Sequence, residues 1–276
     1  LESQGFEVTY LPVNKVGQIT PQQLKKALRA DTILVSVMYA NNETGVIFPI
    51  EEIGEILADH QATFHTDAVQ VYGKIPLNPK AANIDLISIS AHKINGPKGV
   101  GFLYQKEGVK LANILHGGSQ EEKRRAGTEN LVGIVGMASA IDFLTQEQQQ
   151  INWEVYQQFH TYVLERLNQE GIQFEVNGDM EHHLPHILNL RFFGVPSNLL
   201  LMHLDLQGIA ISTGSACSAG DVEPSHVLEA MYGKDHQSLK ESIRISFGYR
   251  NTQDEVVMLT DTLIATVKRL KKDSSE

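Results

Sequence analysis

An asparagine, an aspartate and a lysine each follow a stretch of β-type sequence, and a lone cysteine stands among small residues. Lys93 ends the run Ser90-Ala91-His92-Lys93 and is followed by a Gly/Pro loop, residues 94–99. A lysine held against an apolar sheet loses hydration, which disfavours its charge and makes it a usable amine nucleophile. The plainer alternative is a surface lysine in a polar turn. Asp67, in His65-Thr66-Asp67-Ala68-Val69-Gln70, stands where a carboxylate either caps a helix or pairs with a protonated ring nitrogen. Asn42 lies in a similar position within residues 40–45. Cys217 is flanked by Gly214-Ser215-Ala216 and Ser218-Ala219-Gly220. Such a loop suits a reactive thiol better than a packed one, because structural cysteines sit among larger apolar neighbours.

The elements that must position these groups alternate in type. Residues 6–13 predict a strand, and Thr20 caps a helix running to Arg29 with Pro21 in its first turn. Residues 32–39 (TILVSVMY) are rich in β-branched side chains and suit a strand buried on both faces. Residues 49–60 place Ile50, Ile53, Ile56 and Leu57 on one helical face. Residues 62–66, 85–90 and 99–104 predict further short strands, and residues 130–144 a buried helix. This order predicts a largely parallel α/β sheet, whose ligands bind beyond the carboxyl ends of the strands. The polar run QEQQQ, residues 146–150, either begins a long helix or joins two domains. Beyond it we expect a helix at 153–169, strands at 174–177 and 187–192, and a helix at 197–206. A short strand at 210–212, a strand at 243–247 and a capped helix at 252–271 follow, with a frayed tail at 271–276. The expected partition is a large domain, 1–145, and a smaller α+β domain, 146–276, that carries the cysteine loop.

Composition removes several classes of function. The 276 residues suffice for one large or two modest domains, and 42% apolar with 20% charged residues fits neither disorder nor a membrane bundle. Lys+Arg is 23 against Asp+Glu 33, a net charge of −10, which argues against non-specific nucleic-acid binding. One cysteine makes neither an internal disulfide nor a Cys-rich zinc site. His182, His183 and His186 form the densest histidine cluster, at a spacing that fits no standard zinc motif. No P-loop or dinucleotide fingerprint is present. The start has neither the basic residues nor the apolar run of a signal peptide, and no run spans a bilayer, so a cytoplasmic location is expected. The chain opens on Leu1 rather than Met, close to the first expected strand, and reads as a fragment or a processed chain.

Six blocks in order resemble the pyridoxal-phosphate-dependent cysteine desulfurases of the NifS/IscS type, within the class V aminotransferases. They are ANNETG (40–45), HTDAVQ (65–70), SAHKINGPKGVG (90–101), HGGSQEEKRRAGTEN (116–130), STGSACSAG (212–220) and IRISFG (243–248). The resemblance implies an α/β fold of the fold-type I transferases, with a mostly parallel large domain and a smaller α+β domain. It implies that Lys93 holds pyridoxal 5'-phosphate covalently and that Ser90 and His92 bind its phosphate. Asp67 would pair with the pyridine nitrogen, and Gln70 and Asn42 would face the phenolic oxygen. Thr128 would reach the phosphate of a neighbouring subunit, making a homodimer with shared sites. Arg244 would clamp the substrate carboxylate through its planar fork, with Asn42 beside it. Cys217 would belong to the long-loop subgroup, carrying sulfur between the site and a partner, and would be the residue able to ligate an iron–sulfur cluster in transit. No resident metal is implied.

The implied reaction takes sulfur from L-cysteine, leaves L-alanine and a persulfide on Cys217, and passes the sulfur to an iron–sulfur scaffold or another carrier protein. A selenocysteine lyase or another class V enzyme would share Lys93 and Asp67 without needing Cys217. A non-catalytic dimerising partner is the alternative outside enzymes. The family's Gly/Thr phosphate loop and ring-stacking histidine precede the position matching Leu1, so neither is assigned. Tyr249-Arg250 follows Gly248, where the family often has arginine directly, a departure that bears on Arg250 and not on Arg244.

Overall fold

The computed structural model describes residues 1–213 and 224–273. Cys217, its small-residue loop and the last three residues of the expected frayed tail lie outside the described residues. In chain order the regular elements are α1 (Pro21–Ala27), β1 (Leu34–Met38), α2 (Ile50–Leu57), β2 (Thr63–Asp67), β3 (Leu86–Ser90), β4 (Gly101–Gln105) and α3 (Leu131–Phe143). They continue with α4 (Gln146–Gln169), β5 (Phe174–Val176), β6 (Ile187–Phe192), α5 (Ser197–Asp205), α6 (His226–Tyr232), α7 (Ser238–Glu241), β7 (Ser242–Ser246) and α8 (Gln253–Asp273). The chain divides into two compact units. The first comprises Leu28–Tyr39 and Pro49–Gln150, and the second Leu1–Ala27, Ala40–Phe48 and Ile151–Glu276. The expected partition at 145/146 meets this one near residue 150. It departs from it in the first 48 residues, two stretches of which group with the later part of the chain.

The first unit is built on a four-stranded sheet in the order β1-β2-β3-β4. β1, β2 and β3 are mutually parallel, with Met38 opposite Asp67 and Asp67 opposite Ser88. β4 returns antiparallel to β3, pairing Ser90 with Gly101. The loop between them is too short for the crossover a parallel partner requires, so the reversal is a consequence of chain length. α2 presents Ile50, Ile53 and Leu57 as one buried stripe, while Phe64, Ile87 and Ile89 are buried from the sheet. α3 differs from its expectation. It is apolar but for Ser139 and Asp142, yet only Gly133 and Met137 are buried, and Val132 is 85% exposed. Such a helix is suited to burial all round, and among the described residues it meets protein on only part of its surface.

In the second unit an antiparallel sheet, β5-β6-β7, packs between helices. α4 places Tyr156, Phe159, Val163 and Leu167 three or four residues apart, and all four are buried. They join Leu188, Leu190 and Phe192 of β6, Ile243 and Ile245 of β7, and Leu259, Leu263 and Val267 of α8 in one core. Phe159 meets Phe247 edge to face at 5.5 Å. α1 starts on a reciprocal cap, in which the Gln23 main-chain N–H donates to Thr20 Oγ1 at 3.2 Å and the Thr20 N–H to Gln23 Oε1 at 2.7 Å.

Two expected elements are corrected. Residues 6–13 form no strand, and Phe6 and Tyr10 are exposed, because no neighbour among the described residues supplies a ladder. The strand at 210–212 reduces to a single bridge, Ser212 to Arg244. Of the two readings of QEQQQ, the structure shows the first: the run begins the long helix α4.

Candidate active site

The carboxyl ends of β1, β2 and β3 lie side by side, because the three strands are parallel and in register. Asp67 is the last residue of β2. Its Oδ1 accepts the main-chain N–H of Val69 at 3.0 Å, which starts the helical turn of residues 68–75. The carboxylate is exposed, and its second oxygen has no protein donor among the described residues. The capping role therefore uses one oxygen and leaves the other available. Gln70 is half-buried on the same turn.

β3 ends at Ser90 and passes into a 3₁₀ turn, Ala91–Ile94. In a 3₁₀ turn residues three apart eclipse one another. Ala91 and Ile94 accordingly point inward and are buried, while His92 and Lys93 between them are exposed. Asn95 closes the turn with φ 63°, its N–H donating to the Ala91 carbonyl. Ser90 Oγ and His92 Nδ1 are 2.9 Å apart, so the hydroxyl and imidazole form a pair beside the lysine.

Two further groups serve this cluster, and the sequence reading assigned a role to neither. His65 lies two residues before Asp67, hence on the same face of β2. Its Nδ1 is 2.8 Å from Ser36 Oγ on β1 and its Nε2 2.9 Å from Ser88 Oγ on β3, a polar bridge across all three strands. Desolvation lowers its pKa against the opposing pull of Asp67, which favours a neutral ring donating on one side and accepting on the other. The two-residue spacing from Asp67 was the legible signal. Lys74 donates from Nζ to the main-chain carbonyl of Lys93 at 3.4 Å, and nothing in its sequence context marks it.

In the second unit, Asn41 organises the turn that carries Asn42. Its Oδ1 accepts from the N–H groups of Glu43 at 2.8 Å and Thr44 at 3.0 Å, and from Thr44 Oγ1 at 3.2 Å. Gly45 closes the turn at φ +76°, where a Cβ would stand 3.2 Å from the Leu184 carbonyl. Arg244, half-buried on β7, donates from Nη1 to the Asn42 carbonyl at 3.0 Å. Its backbone makes two hydrogen bonds with Ser212, at 2.7 and 3.1 Å. Asn42 thus meets Arg244 through its main chain. Ser225, the cap of α6, donates from Oγ to the buried Glu43 carboxylate at 2.5 Å.

The structure therefore brings Ser90, His92 and Lys93 into one turn, with Asp67 and Gln70 at the adjacent strand end. Separately, it brings Asn42 to Arg244. Thr128 is exposed in the loop before α3 and makes no side-chain hydrogen bond among the described residues. Elsewhere in the second unit, His160 and His183 lie ring to ring at 4.8 Å, and His186 lies against Tyr156 at 5.8 Å. Among the described residues no three His, Asp or Glu side chains gather as a metal-ligand set.

The donor set in the first unit is chemically specific. It holds an outward amine, a carboxylate with a spare oxygen at a neighbouring strand end, an amide, and a hydroxyl–imidazole pair. An aldehyde, a cationic ring nitrogen, a ring oxygen and a phosphate are the complements of these groups, and pyridoxal 5'-phosphate carries all of them.

A family profile described as Aminotransferase class-V matches residues 1–259. The chain is 54% identical over 98% of its length to the candidate cysteine desulfurase IscS 1 of Bacillus subtilis (strain 168), spanning 71% of that protein. It is 45% identical over 99% of its length to the cysteine desulfurase IscS of Methanosarcina thermophila, spanning 67% of it. A solved structure titled as a NifS-like protein superposes with a TM-score of 0.88 at 34% identity, covering 98% of this chain and 70% of that one. The NifS-like protein from Rickettsia africae gives 0.82 at 29% identity, covering 95% and 69%. On this agreement in fold and sequence over nearly its whole length, the chain belongs to the Aminotransferase class-V family, among its IscS/NifS-like cysteine desulfurases.

Proposed function

We propose that this protein is a cysteine desulfurase that uses pyridoxal 5'-phosphate to move sulfur from L-cysteine onto Cys217. The observation that carries the reading is the Ala91–Ile94 turn, which buries Ala91 and Ile94 and thereby turns Lys93 and His92 outward next to the strand end bearing Asp67. Lys93 is the anchoring amine. His92 and Ser90 offer donors to the phosphate, Asp67 offers its spare oxygen to the ring nitrogen, and Gln70 faces the ring oxygen. When bound, the cofactor supplies a cationic ring that draws electrons from the substrate Cα. Arg244 holds the substrate carboxylate, with the Asn42 segment fixed against it. Lys93, once free of its tether, takes the Cα proton as general base. The Cys217 thiolate then attacks the substrate sulfur. A sulfur–sulfur bond forms, the carbon–sulfur bond breaks with its electrons staying on carbon, and the carbon fragment takes up protons and leaves as L-alanine. A free thiol is only a few per cent ionised near pH 7, so a neighbouring group must help the thiolate form.

The acceptor of the sulfur is an iron–sulfur scaffold or another carrier protein. A reducing cytoplasm, where a single thiol stays unpaired, is the setting that suits the chemistry. The site is shared in a homodimer, Thr128 reaching the phosphate in the neighbouring subunit. Support comes from Ile114, Val132 and Val135, which flank Thr128 in sequence and are exposed as no isolated surface favours.

The test is Cys217→Ser. Serine keeps the size but is a poor attacker of sulfur. With ³⁵S-cysteine, label is expected on the natural chain and not on the variant, while both still bind the cofactor. Because Cys217 is the only cysteine, no other thiol can substitute. Alanine release by the variant at the natural rate would sink the reading and favour a lyase that needs no thiol.

A further inference from the structure

Lys74 occupies a costly position. It lies in the helical turn begun by Asp67, where the N–H groups of Lys74 and Ile75 both donate to the Val71 carbonyl. The preceding Gly73 has φ +73°, and a Cβ there would come within 2.4 Å of Leu144 Cδ1 and 3.5 Å of Ile94 Cγ2. The turn therefore packs directly on the residue that follows Lys93. From it the half-buried Lys74 side chain runs to the Lys93 carbonyl. Among the described residues it forms no ion pair with a carboxylate, and that carbonyl is its one hydrogen-bond acceptor. Loss of water around the ammonium, and then the charge of Lys93 beside it, bring its pKa down to about 8. A desolvated cation set against a second cation is unfavourable in itself, and such arrangements concentrate at functional sites.

The carbonyl it meets explains the arrangement. Within the 91–94 turn, the Ala91 carbonyl is satisfied by the N–H groups of both Asn95 and Gly96. The Lys93 carbonyl has no such main-chain partner in the turn, and an ammonium is a stronger donor than a neutral group. We propose that Lys74 is a positioning residue for Lys93: tied to the Lys93 carbonyl, it holds the Ala91–Ile94 turn in the pose that directs the Lys93 amine outward. The role is distinct from catalysis, since Lys74 acts through the backbone of another residue. It rests on the reading of Lys93 as the cofactor-anchoring amine.

The experiment measures capture rather than turnover. The full chain is mixed with pyridoxal 5'-phosphate near pH 7, reduced with borohydride at timed intervals, and mapped by peptide mass spectrometry. Lys74→Met keeps the apolar stem and removes the donor, and is expected to slow labelling of Lys93 by about tenfold. Lys74→Arg restores charge and donor, and is expected within about threefold of the natural rate. Labelling of exposed Lys80 serves as the control and should not change. A second readout is amide exchange at Asn95 and Gly96, which should quicken by roughly tenfold in the Met variant, because both report the closure of the turn. Equal labelling rates, or unchanged exchange at these two amides, would overturn the proposal. If the Met variant does not fold, Lys74→Gln replaces it with the same expected direction, and a natural rate there overturns the proposal equally. Absence of label on Lys93 in the natural chain would count against the assigned function, whereas exchange at Asn95 and Gly96 would still decide the role of Lys74.

Discussion

The turn that carries Asn42 and the turn that carries Lys93 both follow a β-strand, and they treat their polar groups in opposite ways. In the first, Asn41, Glu43 and Thr44 are 6%, 1% and 4% exposed, and Asn41 Oδ1 alone takes three hydrogen bonds. In the second, His92 and Lys93 are exposed, and neighbouring Asp67 keeps an oxygen without a protein donor. The Asn41 amide oxygen is satisfied from within the turn and one Glu43 oxygen by Ser225, while Glu43 Oε1 is buried without a partner among the described residues; the Asn41 bonds make the 41–45 turn scaffolding that fixes where Asn42 meets Arg244. The 91–94 turn spends its apolar residues on anchoring and leaves its donors for a ligand. A functional site is therefore read from unused hydrogen-bonding capacity as much as from residue type.

The sharpest test of that contrast is Lys93→Ala. Covalent capture of pyridoxal phosphate is expected to vanish. Stability is expected to change by less than about 0.5 kcal/mol, because the side chain is exposed and the turn is anchored by Ala91 and Ile94. Borohydride-fixed label appearing at another lysine would show that the turn does not select its amine. A large loss of stability would show that Lys93 is scaffolding after all.

The two units differ in the same sense over their apolar surfaces. Around β6 the second unit closes a core, in which Phe192, Leu190 and Leu188 are essentially inaccessible. The first unit leaves Leu131, Val132 and Val135 of α3 on its surface. Phe192→Ala is accordingly expected to lower the unfolding free energy by ~3–5 kcal/mol, the cost of lost contacts plus a cavity. Val132→Ala removes methyl groups already in water and should cost under about 0.5 kcal/mol in the isolated chain. Urea unfolding of the two variants checks the ordering. Comparable losses would mean that α3 is covered in solution, which would itself point to an assembled state.

Much of this arrangement was legible in the residues. β6 starts and ends where the strand expected at 187–192 does, and the three parallel strands follow from β-branched runs separated by turn residues. The placement of Asp67 and Lys93 at adjacent strand ends follows from register alone. What escaped the sequence has identifiable causes. α6 and α7 are seven and four residues long, too short to show a helical period, and only the Ser225 cap marks the first of them. Residues 6–13 alternate like a strand, but a strand exists only where another backbone pairs with it. The exposure of α3 is a property of what surrounds the helix, and composition reports only its apolar character. Lys74 was invisible because its role depends on the main-chain carbonyl of a residue nineteen positions away.

The last expected effect again separates buried groups from exposed ones, now through pH. His160 on α4 is 5% exposed and lies against the tilted ring of His183. Burial, and second the neighbouring His183, hold its pKa at about 4, and burial lowers His183 as well. In the unfolded chain a histidine titrates near ~6.5. The unfolded state therefore binds a proton at a pH where the folded state does not, and stability rises with pH across that window. Above pH 6.5 both states are neutral and no penalty operates. As the pH falls from about 6.5 toward 4 the penalty grows, reaching on the order of 3 kcal/mol for His160. His160→Phe keeps a ring against His183 and removes the titrating group. Acidic side chains titrate equally in both proteins, so the difference between their unfolding free energies at pH 7 and pH 4.5 isolates His160. The natural chain is expected to lose more stability over that interval than the variant. Identical losses would show that the pair opens to water or protonates in place, and that the second unit is less firmly closed around α4 than its packing indicates.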